Sequence, residues 1–87
     1  MSLTQKEAIY MSGTISIDLH GLLVEDAEFR LRGFVDMAPA GTHTVEVVHG
    51  IGTGALKNMV HDFYHSRIEA HAQCIGNPGQ TNLYLRQ

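Results

Sequence analysis

The sequence predicts a small α/β (α+β) two-layer sandwich of order βαβαββ, a four-stranded mixed sheet with two helices. Three observations carry this. Two runs rich in β-branched residues, Thr14–Asp18 and Thr44–His49, flank a segment with helical spacing, which makes a βαβ unit. A glycine-rich turn joins the second run to another helical segment. Two more short runs follow, linked through Pro78-Gly79. With 87 residues there is room for one such core and not for two. A hydrophobic content of 44% with 17% charged residues suits a folded chain rather than a disordered one.

Residues 1–12 carry little pattern and read as an N-terminal extension or a vector-derived tail ahead of a domain spanning 13–87. Ala8, Ile9 and Met11 suit a short helical turn docked on that domain, and the opening Met-Ser-Leu suggests a chain cut from a longer protein. In the first strand, Thr14 to Asp18, Ile15, Ile17 and Leu19 share one face while Ser16, Asp18 and His20 share the other. Gly21 ends it. From Val24 to about Ala38, apolar residues recur at helical spacing at Ala27, Leu31, Phe34, Val35 and Ala38. Glu25 and Asp26 stand in the first turn, where negative charge suits the helix dipole. Pro39-Ala40-Gly41 stops the helix. In the second strand, Thr44 to His49, the neighbouring Val47 and Val48 predict an inner strand covered on both faces, parallel to the first through a right-handed crossover. The second helix is expected from Ala55 to about Arg67, the third strand at His71–Ile75 and the fourth at Thr81–Leu85. The turn Gly76–Gln80 places Pro-Gly where a type II turn wants it.

The formal net charge of −3 argues against avid, nonspecific binding of nucleic acid. The acids are unevenly placed, however: Glu25, Asp26, Glu28 and Asp36 crowd one segment, whereas the glycine turn has Lys57 and no acid before Asp62. A local anion site is compatible with an acidic whole. No apolar run reaches the length of a membrane span and no signal peptide is visible, so a cytoplasmic home is the default expectation. The single cysteine, Cys74, has no internal disulfide partner and is expected to be a buried small hydrophobe.

Chemistry concentrates in His49-Gly50-Ile51-Gly52-Thr53-Gly54-Ala55-Leu56-Lys57, where a histidine ends a strand, glycines form the turn and a helix begins. Glycine permits positive φ and close approach of a ligand to the backbone. The first turn of a helix offers unpaired N–H groups and partial positive charge, which suit a phosphate. Gly50, Gly52, Thr53, Gly54 and Lys57 are the candidate phosphate-binding residues. Ligands in parallel α/β arrangements bind beyond the carboxyl ends of strands, so Asp18, His20 and His49 are expected to meet this turn at one edge. An imidazole beside a carboxylate there is a candidate general base.

Asp18-Leu19-His20-Gly21 followed by His49-Gly50-Ile51-Gly52-Thr53-Gly54 resembles the Smr (small MutS-related) domain family, which carries an Asp-Leu-His-Gly motif after its first strand and a His-Gly-x-Gly motif after its second. The likeness covers about Ile15 to Leu85. The tail Gly76 to Leu85 is similar to that family's Gly-rich turn, Thr and final strand. The resemblance implies a fold like the C-terminal domain of a bacterial translation initiation factor. It also implies binding of nucleic acid, DNA or RNA, with branched forms among the candidates, and in several members a nicking endonuclease activity. Asp18, His20 and His49 are then the expected catalytic residues, and Gly50 and Gly52 belong to the second motif. Ile51 stands where many members have Lys or Arg, which removes one phosphate-binding charge.

Plainer roles compete with these. Asp18 at a strand end can simply accept backbone N–H bonds, and His20 and His49 can fix turns. A non-catalytic module that recognises branched or structured nucleic acid fits the same motifs. His61 and His65 stand at i, i+4, a spacing used by zinc helices, but Asp62 follows where such helices carry Glu, and a solvated helix face explains the pair better. The cofactor is undetermined: Mg²⁺ is a candidate, and no clear protein metal site is present.

Overall fold

The computed structural model describes residues 13–87, so the expected helical turn at Ala8, Ile9 and Met11 lies outside the described residues. The elements are β1 (Thr14–Asp18), α1 (Val24–Asp36), β2 (Thr44–Val48), α2 (Ala55–Asp62), β3 (Ile68–Gln73) and β4 (Gln80–Leu85). They form one four-stranded sheet in the order β1-β2-β4-β3. β1 and β2 are parallel, with Asp18 opposite Val48, and β4 runs antiparallel to both its neighbours. The mixed sheet and two helices predicted from the sequence are present.

The pleat sorts the strands into two faces. Ile15, Val45, Val47, Thr81, Leu83 and Leu85 are buried on one, where they meet Ala27, Leu31 and Val35 of α1 and Val60 of α2 in a single core. Removing such side chains from water is worth about 1.5–3 kcal/mol each, which is what holds the two layers together. Both helices contribute to this one core, so among the described residues β2 is an inner strand of the sheet but is not covered by helices on both faces as its valines suggested. Val48 and Glu46 are only half-buried on the other side.

The largest departure from expectation is after α2. The helix ends at Asp62, not Arg67, because Phe63 adopts extended backbone (φ −64°, ψ 127°). The released segment supplies partners to the ends of both helices. Arg67 Nη1 donates to the carbonyls of Val35 (2.8 Å) and Ala38 (3.1 Å), where α1 has no basic residue of its own in its last turn. His71 Nε2 donates to the Phe63 carbonyl at 2.9 Å. β3 accordingly begins at Ile68, which is buried opposite Leu85, and a bulge lies between Ile68 and Ala70. The expected end of β3 at Ile75 is instead a turn, with Ile75 fully exposed and Cys74 half-buried rather than in the core. In that connection the positive φ falls on Gly76 (+85°) and not on Gly79, so Pro78-Gly79 is not the type II turn that was expected. The Asn77 side chain accepts the Gly79 N–H at 3.1 Å and closes the turn locally.

Candidate functional site

β1 and β2 end side by side, and the segments that leave them form the walls of a groove of about 460 Å³. One wall is His20 to Val24; the other runs from His49 through the glycine turn to Lys57 in the first turn of α2. Of the residues expected at this edge, His20, His49, Gly50, Gly52, Thr53, Gly54 and Lys57 line the groove together. Asp18 does not.

Asp18 continues the series Thr14 and Ser16 on the face of the sheet opposite α1 and α2, whereas His49 continues Val45 and Val47 on the core face. The two side chains therefore leave the sheet on opposite sides, and the expected meeting of Asp18 with His49 in one cleft does not occur. Asp18 is linked instead to His20: its Oδ1 accepts the His20 backbone N–H at 2.9 Å. That bond fixes the turn that carries the imidazole.

His20 is exposed, and its ring makes no hydrogen bond to the described residues. It lies over Gly50, where a Cβ would come within 3.2 Å of its Cδ2. Gly50 has φ +78°, a backbone conformation that favours glycine, and a side chain there would also press on the ring above it.

His49 is 3% exposed and has both ring nitrogens engaged. Nδ1 is 2.8 Å from the Gly50 carbonyl, which only accepts, so Nδ1 carries the proton. In the neutral ring Nε2 then accepts from the Thr81 hydroxyl at 2.9 Å. His49 therefore forms part of the floor of the groove and holds the start of the glycine turn. The Gly79 carbonyl holds the same point from the other side, accepting the N–H groups of His49 (2.8 Å) and Gly50 (3.1 Å). Gly79 lies against the same turn: a Cβ there would be in van der Waals contact with the Gly50 Cα, at 3.4 Å.

Gly54 caps α2 with φ +87°, and the Thr53 hydroxyl accepts the Ala55 N–H at 3.3 Å. Lys57 is half-buried and is the one Lys or Arg among the described lining residues. Sequence reasoning missed the supporting pair Gly79 and Thr81 and the apolar wall at Leu22, Leu23 and Val24. Thr81 had left a trace: it is a polar residue in phase with Leu83 and Leu85 on the core face of β4.

The other histidines lie elsewhere. His65 is off the helix and so shares no helix face with His61; its Nδ1 accepts the Arg67 N–H at 3.0 Å and its Nε2 donates to Asp36 Oδ1 at 2.6 Å. Among the described residues no three His, Cys, Asp or Glu side chains come together to hold a metal ion. No described helix is long and apolar enough to cross a membrane.

Known proteins resemble this chain in sequence and fold. A family model described as the Smr domain matches residues 17–82. The chain is 36% identical over 67 residues to endonuclease MutS2 of Brevibacillus brevis, covering 76% of this chain and 8% of that protein. It is 48% identical over 76 residues to endonuclease MutS2 of Solidesulfovibrio magneticus, covering 80% of this chain and 10% of that protein. The crystal structure of the Smr domain of Thermus thermophilus MutS2 superposes with a TM-score of 0.76 at 32% identity, covering 83% of this chain and 98% of that one. The chain thus spans about a tenth of the length of the curated relatives it matches. With the family-model match over residues 17–82 and the domain-length superposition in agreement, the chain belongs to the Smr domain family.

Proposed function

We propose that this domain binds DNA or RNA through the groove and nicks it by phosphodiester hydrolysis, with branched or otherwise structured forms as its substrates. The observation that supports this best is His20: an exposed imidazole, with no protein hydrogen bond to its ring among the described residues, beside the glycine turn and Lys57. A phosphodiester seated there has Lys57 and the backbone N–H groups of Gly52, Thr53 and Gly54 to stabilise charge that develops on its oxygens. His20 takes a proton from the attacking water or gives one to the leaving oxygen as the P–O bond breaks. Asp18 acts through the His20 turn, and His49 acts from below by holding Gly50 in place.

The test is incubation of the purified chain with supercoiled plasmid and with structured RNA, with and without Mg²⁺ or a chelator. Conversion of plasmid to relaxed circles, or defined RNA fragments, is the expected result; no product above a buffer blank would refute cleavage. One observation favours the second reading, a binding module that does not cut. The His49 ring nitrogens are both engaged and the Asp18 carboxylate already accepts a backbone N–H, which leaves His20 as the one groove imidazole available for proton transfer. Under that reading the same protein shifts nucleic acid in a binding assay at low salt and leaves it intact.

A further inference from the structure

Two features of the groove are not explained by folding. The first is charge. Acidic residues outnumber Lys and Arg nine to six in the chain, yet no acid is among the described lining of the groove. Asp18, Glu25 and Asp26, the nearest acids in sequence, all lie outside it. The second is a pair of large apolar side chains in its walls, Leu23 at 75% and Ile51 at 70% exposure.

Neither belongs to the core or packs against it, unlike their neighbours Leu22 and Leu56. Leu23 occupies the N-cap of α1, where Ser, Thr, Asp or Asn would satisfy a helix N–H; Leu23 makes no such bond. Ile51 is a β-branched residue between Gly50 and Gly52, both at positive φ, in a loop that gains nothing from it locally. Local stability would be served better by polar residues at both positions.

A simple anion has no use for the apolar walls. A purely apolar ligand has no use for Lys57, His20 and the exclusion of acids. A nucleotide whose base has left the stack uses both: its phosphate meets Lys57 and the first turn of α2, and its exposed base face meets Leu23 and Ile51. In a continuous duplex each base face is covered by its neighbours, and apolar side chains reach it only where stacking is broken. Resting on the nucleic-acid reading above, we infer that Leu23 and Ile51 grip an unstacked base, so that the substrate class is nucleic acid with at least one unpaired nucleotide beside the bound phosphate.

Three ligands test this by fluorescence anisotropy with the 87-residue chain, each made in DNA and in RNA. They are an uninterrupted duplex, the same duplex with a short bulge, and the same bulge made abasic. Wild type should bind the bulged duplex roughly tenfold tighter than the uninterrupted one, the scale of burying one base face, with the abasic bulge falling back to the uninterrupted level. The double variant Leu23→Ser/Ile51→Ser should lose that preference and keep its affinity for the uninterrupted duplex. Both positions are exposed and Ser is a favourable N-cap at position 23, so a urea midpoint at or above that of wild type checks the fold. Equal wild-type affinity for all three ligands overturns the inference and leaves nucleic-acid binding standing. Equal preference for both bulges also overturns it, because backbone shape would then be what is read. Binding to none of them in either DNA or RNA at low salt overturns the nucleic-acid reading itself.

Discussion

The imidazole Nε2 of His49 meets the hydroxyl of Thr81 at 2.9 Å within the buried interior, across 32 residues of sequence. This bond joins the end of β2 to the start of β4 directly beneath the glycine turn. It makes His49 a support of the groove and leaves the exposed chemistry to His20.

Replacing Thr81 by Val keeps the shape and removes the hydroxyl. Nε2 of His49 is then left buried without a partner, at a cost of about 1–3 kcal/mol. Urea unfolding should show a lower midpoint with an unchanged slope, and backbone amide shifts should centre on residues 49–54. An unchanged midpoint would mean that the bond contributes nothing to stability.

Gly50→Ala places a Cβ at a position with φ +78° and within 3.2 Å of the His20 ring. The left-handed backbone alone costs roughly 1–2 kcal/mol for a residue with a side chain. The ring must also move. Loss of stability together with changed His20 proton shifts is expected; a change in stability with His20 undisturbed would count against the contact.

Asp18→Asn and His20→Ala separate charge from geometry. Asn retains an oxygen that can accept the His20 N–H, so the turn should survive while the carboxylate charge is lost. His20→Ala removes the proposed proton-transfer group from an exposed position. If the domain nicks, His20→Ala should lower cleavage by on the order of 10²–10⁴-fold, whereas Asp18→Asn, which keeps the turn, should cut at close to the wild-type rate, both with urea midpoints close to wild type. Cleavage by His20→Ala at the wild-type rate would remove His20 from the mechanism.

Lys57→Ala should weaken binding rather than chemistry. Loss of one phosphate contact should reduce the slope of log affinity against log salt by about 0.7–0.9. Affinity titrations at several salt concentrations read this directly, and parallel lines for variant and wild type would place Lys57 away from the phosphate.

Arg67→Met tests the support at the far end of the molecule. The guanidinium donates to two carbonyls at the end of α1, and hydrogen bonds from a charged donor are worth about 1.5–3 kcal/mol when buried. Partial exposure of Arg67 argues for the lower end. A lower urea midpoint and faster amide exchange in the last turn of α1 are expected. Exchange unchanged there would show that the helix end does not depend on Arg67.

Much of the fold is legible in the sequence because local patterns and tertiary packing agree over most of the chain. The alternation in Thr14–Asp18, the spacing of Ala27, Leu31 and Val35, and the valines of β2 each specify an element from neighbouring residues alone. The glycine turn is legible for the same reason, since its backbone conformation is a local property. The segment from Phe63 to Gln73 is where local reading fails. Helical spacing continues past Asp62, but the chain leaves the helix where Phe63, His65 and Arg67 find partners in distant elements. No pattern within the segment specifies those partners.

The site divides in the same way. The sequence by itself determined that His20, His49, Gly50 to Gly54 and Lys57 share one edge, because two parallel strands must end together. It did not determine which way each side chain points there. The tertiary structure decided that His49 turns inward, because Thr81 and the Gly50 carbonyl offer partners for both its nitrogens. It also decided that α1 and α2 both pack on the side of Ile15 and Val45, which leaves Asp18, paired with Ser16 by the pleat, on the opposite face. The physical reason is range: strand ends follow from local periodicity, whereas the partner of a buried polar group is supplied by residues far away in the chain.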